Sequence, residues 1–149
     1  MIEQPKLSPV PKLKLYILLE DYPAVYGDVK ILIPKGFVFD GASIPFIGWL
    51  PTYTPFHPLV MASAICHDWI FLNHQTDQKT ADQILYDRLV LNGASPFKSK
   101  LMYRAVRIGG GLFWQPGADK IKDLQTLYDS CKNSLDFDLY QFPVDLVKT

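Results

Sequence analysis

The stretch from Leu59 to Asn73, LVMASAICHDWIFLN, governs how the rest of the chain is read. Val60, Met61, Ile65, Trp69, Ile70, Phe71 and Leu72 leave it almost no polar face. It therefore reads as a helix buried on most sides, with Pro58 suited to its first position. His67 and Asp68 stand in its middle. An ionisable pair taken out of water is costly unless each member finds a partner or a metal. Adjacent helix positions point about 100° apart, so the two side chains face two neighbouring subsites.

Downstream, a polar turn from His74 to Lys79 leads into a second helix, Thr80 to Asn92, with Ala81, Ile84, Leu85 and Leu89 at helical spacing. Asp77 is placed to cap it and Asn92-Gly93 to stop it. A third helix is predicted from about Ser99 to Ile108, broken by Gly109-Gly110-Gly111. Asp119 to Asn133 reads as an amphipathic helix, and Ser134 to Thr149 as an edge strand or an arm laid on a neighbour.

Upstream, Met1 to Lys12 is polar and proline-rich and reads as an extended arm. Leu13 to Glu20 and Val29 to Ile33, separated by Asp21-Tyr22-Pro23 and Gly27-Asp28, read as a β-hairpin or small antiparallel sheet. Phe37-Val38-Phe39 adds a brief third strand, and Asp40 to Pro58, with its prolines, makes a long stiff loop. The expected class is α+β. A small antiparallel sheet on the N-terminal side precedes a bundle of three to four helices, all in one globular domain over residues 13–133 between two arms, 1–12 and 134–149.

The chain has 149 residues, 48% hydrophobic and 20% charged, so it is long enough to bury a core without disulfide or metal staples. Fifteen basic and fifteen acidic residues cancel, which removes the electrostatic footprint of a non-specific nucleic-acid binder. The Leu15–Leu19 apolar run is too short for a membrane span or a signal-peptide core. Cys66 and Cys131 read as reduced, buried thiols.

The chemistry concentrates around His67. A carboxylate on the next helix is its natural partner, and Asp82, one short helical hairpin later, is placed to supply it. Asp68 faces a different group, and the loop at Asp40-Gly41-Ala42-Ser43 can offer backbone carbonyls. A carboxylate with backbone carbonyls suits calcium more than zinc. A histidine oriented by an aspartate beside such a metal makes a workable hydrolase site. A satisfied structural hydrogen-bonder describes the same histidine equally well. His57 and His74 read as plain loop histidines. Arg104 and Arg107, three apart on one helix face, can clamp an anionic head group or phosphate, or else serve a solvated charged face or a salt bridge to acidic helix residues. The glycine triplet follows no strand and opens no helix, so it has no nucleotide role.

Four blocks in order carry a family resemblance: Phe39-Asp40-Gly41-Ala42-Ser43-Ile44-Pro45, His67-Asp68-Trp69-Ile70-Phe71, Ala81-Asp82, and Ala105-Val106-Arg107 with Trp114 downstream. They resemble the bacterial and bacteriophage family named domain of unknown function 1353 (DUF1353), over about Phe37 to Trp114. More distantly, the His-Asp helix is similar to that of secreted and parvoviral phospholipases A2. That likeness implies a phospholipase-A2-like helical pair at the centre, with His67 as general base, Asp82 as its orienting partner, and Asp68 as a calcium ligand with Asp40 and Gly41 of the loop. Ser43, Phe71 and Trp69 take supporting positions. Phe71 stands where those enzymes have tyrosine, which removes a hydroxyl able to bond the orienting aspartate. Ala64 stands where they have cysteine.

Three functions follow as expectations. One is a calcium-assisted ester hydrolase acting on a lipid or cell-envelope substrate. Another is a phage tail or baseplate protein, docked to other phage structural proteins or to copies of itself through its arms. The third is an accessory protein that binds a host factor. The expected location is the cytoplasm of the bacterial host, and the phage particle for the virion component. No nucleotide or organic cofactor is expected.

Overall fold

Short alternating runs carry the N-terminal part of the chain into five strands: β1 (Leu7–Val10), β2 (Leu15–Leu18), β3 (Tyr22–Tyr26), β4 (Val29–Ile33) and β5 (Val38–Phe39). The computed structural model describes residues 1–10, 15–42, 53–54, 56–112 and 114. The described residues form two compact units, one within 5–40 and the other within 1–4 and 41–114.

In the strand unit, β1, β2 and β5 make an antiparallel sheet in the order β1-β2-β5, and β3 and β4 pair as a separate hairpin. The hairpin therefore joins different segments from those the sequence predicted. Tyr22-Pro23, expected as a separator, lies inside β3 with Pro23 opposite Leu32. A two-stranded ribbon has only edge strands, where proline's missing N–H removes no interior ladder bond. The same tolerance admits Pro9 into β1, so part of the expected arm is a strand paired to β2. Gly27 turns the hairpin with φ +54°, a backbone that costs glycine little. Leu15, Ile17, Leu18, Ile31, Ile33 and Phe39 form the buried layer of this unit.

The helical unit holds α1 (Pro58–Asn73), α2 (Gln78–Leu91) and α3 (Pro96–Gly109), followed by a single 3-10 turn at Gly110–Leu112. The arrangement is α+β, as expected. α1 is buried without interruption from Val60 to His67, which explains its all-round apolar sequence. His57, read as a plain loop histidine, caps it: its Nδ1 accepts the Leu59 N–H at 3.2 Å. Asp77 caps α2 by accepting the Thr80 N–H at 3.1 Å. α3 begins earlier than predicted because Pro96 opens it, a position that suits proline's fixed φ.

Polar side chains of α2 set the register of the α1–α2 hairpin. Asp82 meets His67, Arg88 reaches the Ala62 carbonyl at 3.4 Å, and Asn92 donates to the Leu59 carbonyl at 3.0 Å. Each later residue of α2 meets an earlier residue of α1, so the helices run antiparallel and a one-turn slip would strand all three groups. The segment 43–52, most of the predicted stiff loop, the predicted helix from Asp119 and the C-terminal arm lie outside the described residues. No described helix is long and apolar enough to cross a membrane.

Candidate functional site

Each of the three helices contributes one member of a polar cluster. His67 lies in the second half of α1, Asp82 in the second turn of α2, and Arg107 in the last turn of α3. His67 Nε2 lies 2.8 Å from Asp82 Oδ1, and Arg107 Nη1 donates to Asp82 Oδ2 at 3.0 Å. The Asp82 carboxylate is 0% exposed. With one oxygen taken up by the guanidinium, the carboxylate has its other oxygen free to accept, which favours the tautomer in which Nε2 carries the proton. The other edge of the imidazole, Nδ1, lies 3.8 Å from Asp68 Oδ1, beyond hydrogen-bond length. Asp68 is 35% exposed and the Arg107 side chain 36%, so the cluster is dry at Asp82 and reaches solvent at both ends.

The electrostatics follow from this layout. Burial alone pushes the His67 pKa down, but the nearby charge of Asp68 and the hydrogen bond and charge of Asp82 outweigh it, and the net shift is upward. With His67 protonated, two cations balance two carboxylates. With His67 neutral, the group carries one net negative charge. Next to it, burial pushes the Cys66 thiol up to about 11, against the pull of the Arg88 charge. Cys66 is thus a thiol at neutral pH and packs as a small hydrophobe.

An aromatic wall backs the imidazole. The Phe71 ring lies 4.2 Å from His67 between centroids, and Trp114 meets Phe71 edge-on at 4.6 Å and His74 at 4.5 Å. Gly110 belongs to this wall, because a Cβ there would stand 3.3 Å from Phe71 Cζ and 2.8 Å from the Gln78 amide. The glycine triplet therefore has a packing reason at Gly110. Trp69 is buried, and its carbonyl accepts from the Asn73 side chain at 2.8 Å.

The structure brings His67 and Asp82 together, as their spacing predicted, and it sets Asp68 3.8 Å from the other imidazole nitrogen, where the sequence had Asp68 facing a different group. It separates the two arginines in role: Arg107 is bound to Asp82, whereas Arg104 is exposed. The sequence allowed Arg107 a salt bridge to an acidic helix residue, but not that the residue is Asp82, because α3's rotation about its axis is set by packing. Asp40 is an exposed residue ending the strand unit, and Gly41 opens the helical unit. Gly41 takes φ +91°, and a Cβ there would collide with the Phe56 ring at 2.6 Å, so glycine is required for packing. Ser43 lies outside the described residues. Among the described residues no group of three or more His, Cys, Asp or Glu side chains converges as a metal site.

A family model described as "Protein of unknown function (DUF1353)" matches residues 16–106, more than half of the chain. No curated protein and no solved structure matches the chain.

Proposed function

The chain belongs to the DUF1353 family, and from that premise we propose that its His67 cluster is a hydrolytic site acting on an ester, with a lipid ester as the substrate class. One observation carries this reading. His67 has one nitrogen tied to a fully buried carboxylate and the other turned toward the half-exposed Asp68. That is the division of labour a general base needs, with one nitrogen for orientation and one for the proton.

In this mechanism Nδ1 of neutral His67 takes a proton from a water as the water oxygen attacks the ester carbonyl. Asp82 fixes the tautomer and stabilises the imidazolium that forms. Arg107 holds the second oxygen of Asp82 and so fixes the carboxylate in place. The imidazolium then returns the proton to the departing alkoxide, and the products are an acid and an alcohol. Asp68 is the carboxylate suited to hold a hard cation such as calcium at the open edge, with backbone carbonyls and solvent as further oxygen ligands. Such a cation, when bound, supplies Lewis-acid polarisation of the ester carbonyl.

The test is fatty-acid release from mixed phospholipid micelles, with calcium and then with chelator, comparing wild type with His67→Gln. Release that depends on both His67 and calcium supports the site as described. Release that survives His67→Gln would remove His67 from the chemistry, and release that survives the chelator would remove the metal alone.

A further inference from the structure

The outward face of α3 combines exposed apolar side chains with cations in a way the catalytic cluster does not use. Phe97 is 68% and Ile108 78% exposed, with Leu101 half-buried between them. At about 100° per residue these three lie within about 40° of one another around the helix, on a line about 16 Å long. Arg104 lies on the same line and Lys100 beside it, both exposed. α3 carries Lys98, Lys100, Arg104 and Arg107 and no acidic residue. Arg107 is spent on Asp82, and Lys98 sits over the Tyr53 ring at 4.7 Å. Among the described residues, Lys100 and Arg104 have no acidic partner.

We propose that this face of α3 is a docking surface for an anionic lipid layer. Exposed apolar residues are ordinary when scattered, but here two large ones share a line with one cation and lie beside a second, on a helix without acids. At a lipid–water boundary the apolar side chains enter the acyl edge while the cations meet phosphate groups. Charge complementarity selects an anionic surface over a neutral one. Three side chains fall well short of the roughly 800 Å² per partner of a stable protein interface, and a lipid layer needs no such area. The surface goes beyond the catalytic reading and does not depend on it.

The experiment is co-sedimentation with vesicles of phosphatidylcholine, with and without phosphatidylglycerol, at low and high salt. Wild type is expected to sediment with the anionic vesicles at low salt only. Lys100→Gln and Arg104→Gln should each weaken binding about fivefold, and Phe97→Ser with Ile108→Ser about tenfold or more. All four side chains are exposed or on the exposed face, and circular dichroism checks that each variant is folded. The arginine variant decides the matter should the Phe97 variant misfold. His67→Gln should bind as wild type does, which separates this surface from the hydrolytic site. Absence of binding to anionic vesicles at low salt would overturn the proposal. Equal binding by the variants would also overturn it, as would a wild-type dimer that Phe97→Ser converts to monomer without any vesicle binding.

Discussion

The two ends of the α1–α2 hairpin are held by different chemistry. At one end, Asn92 is buried and neutral: its amide donates to the Leu59 carbonyl at 3.0 Å, and its oxygen accepts from Gln4 at 2.9 Å. At the other end, His67, Asp82 and Arg107 tie three helices through charge. At the Asn92 end a neutral amide holds the register without an ion pair. Buried ions bring a desolvation cost that an amide avoids, and ion pairs often add little over well-packed neutral groups. The charged end therefore holds more than register demands, and it is the end where a titratable nitrogen faces a half-exposed carboxylate. That contrast points to chemistry at His67.

The largest expected effect is at the charged end. Asp82→Ala strands a buried imidazole and one end of a guanidinium, and should cost about 3–5 kcal/mol in urea unfolding. Asn92→Ala, at the neutral end, leaves a buried carbonyl without its donor and should cost about 1–3 kcal/mol. Equal losses at the two ends would erase the contrast between them.

The pH dependence separates the ends next. The folded His67 pKa is raised above its unfolded value of about 6.5. Its stabilising contribution is therefore complete below about pH 6.5 and is lost as pH rises through the folded pKa. Urea midpoints measured across this window should fall in wild type, fall equally in Asn92→Ala, and stay level in His67→Gln. Ester hydrolysis should move oppositely, rising through the same pH as neutral His67 appears. A rate that fell where stability fell would remove His67 as the base.

The smallest effect on stability is expected at the open rim. Asp68 is half-exposed and 3.8 Å from the imidazole, so Asp68→Asn should change stability by less than about 1 kcal/mol. The same variant should lose calcium-dependent fatty-acid release. A large stability loss with unchanged release would make Asp68 a structural member of the cluster.

Much of this arrangement is legible in the sequence alone. The uninterrupted apolar run of α1 leaves a helix no solvent side, and that makes His67 conspicuous as a buried ionisable group in need of a partner. Asp82 follows because a short turn brings the next helix back alongside, and Asp77 because N-caps obey local rules. Strand pairing is less legible. Prolines at positions 9 and 23 read as breaks, yet both lie in strands, because whether a proline matters depends on which edge is free.

By itself, then, the sequence determined the α+β order, the burial of α1, the Asp77 cap and the His67–Asp82 partnership, all of which rest on local spacing or on the cost of burying charge. Only the tertiary structure decided that Arg107 holds Asp82 while Arg104 faces solvent, that Gly41 and Gly110 make room for the Phe56 and Phe71 rings, and that Phe97 and Ile108 share an exposed line. The physical reason is the same in each case. A helix carries its own periodicity in its sequence, but its rotation against its neighbours is set by how side chains from distant segments fill the space between them.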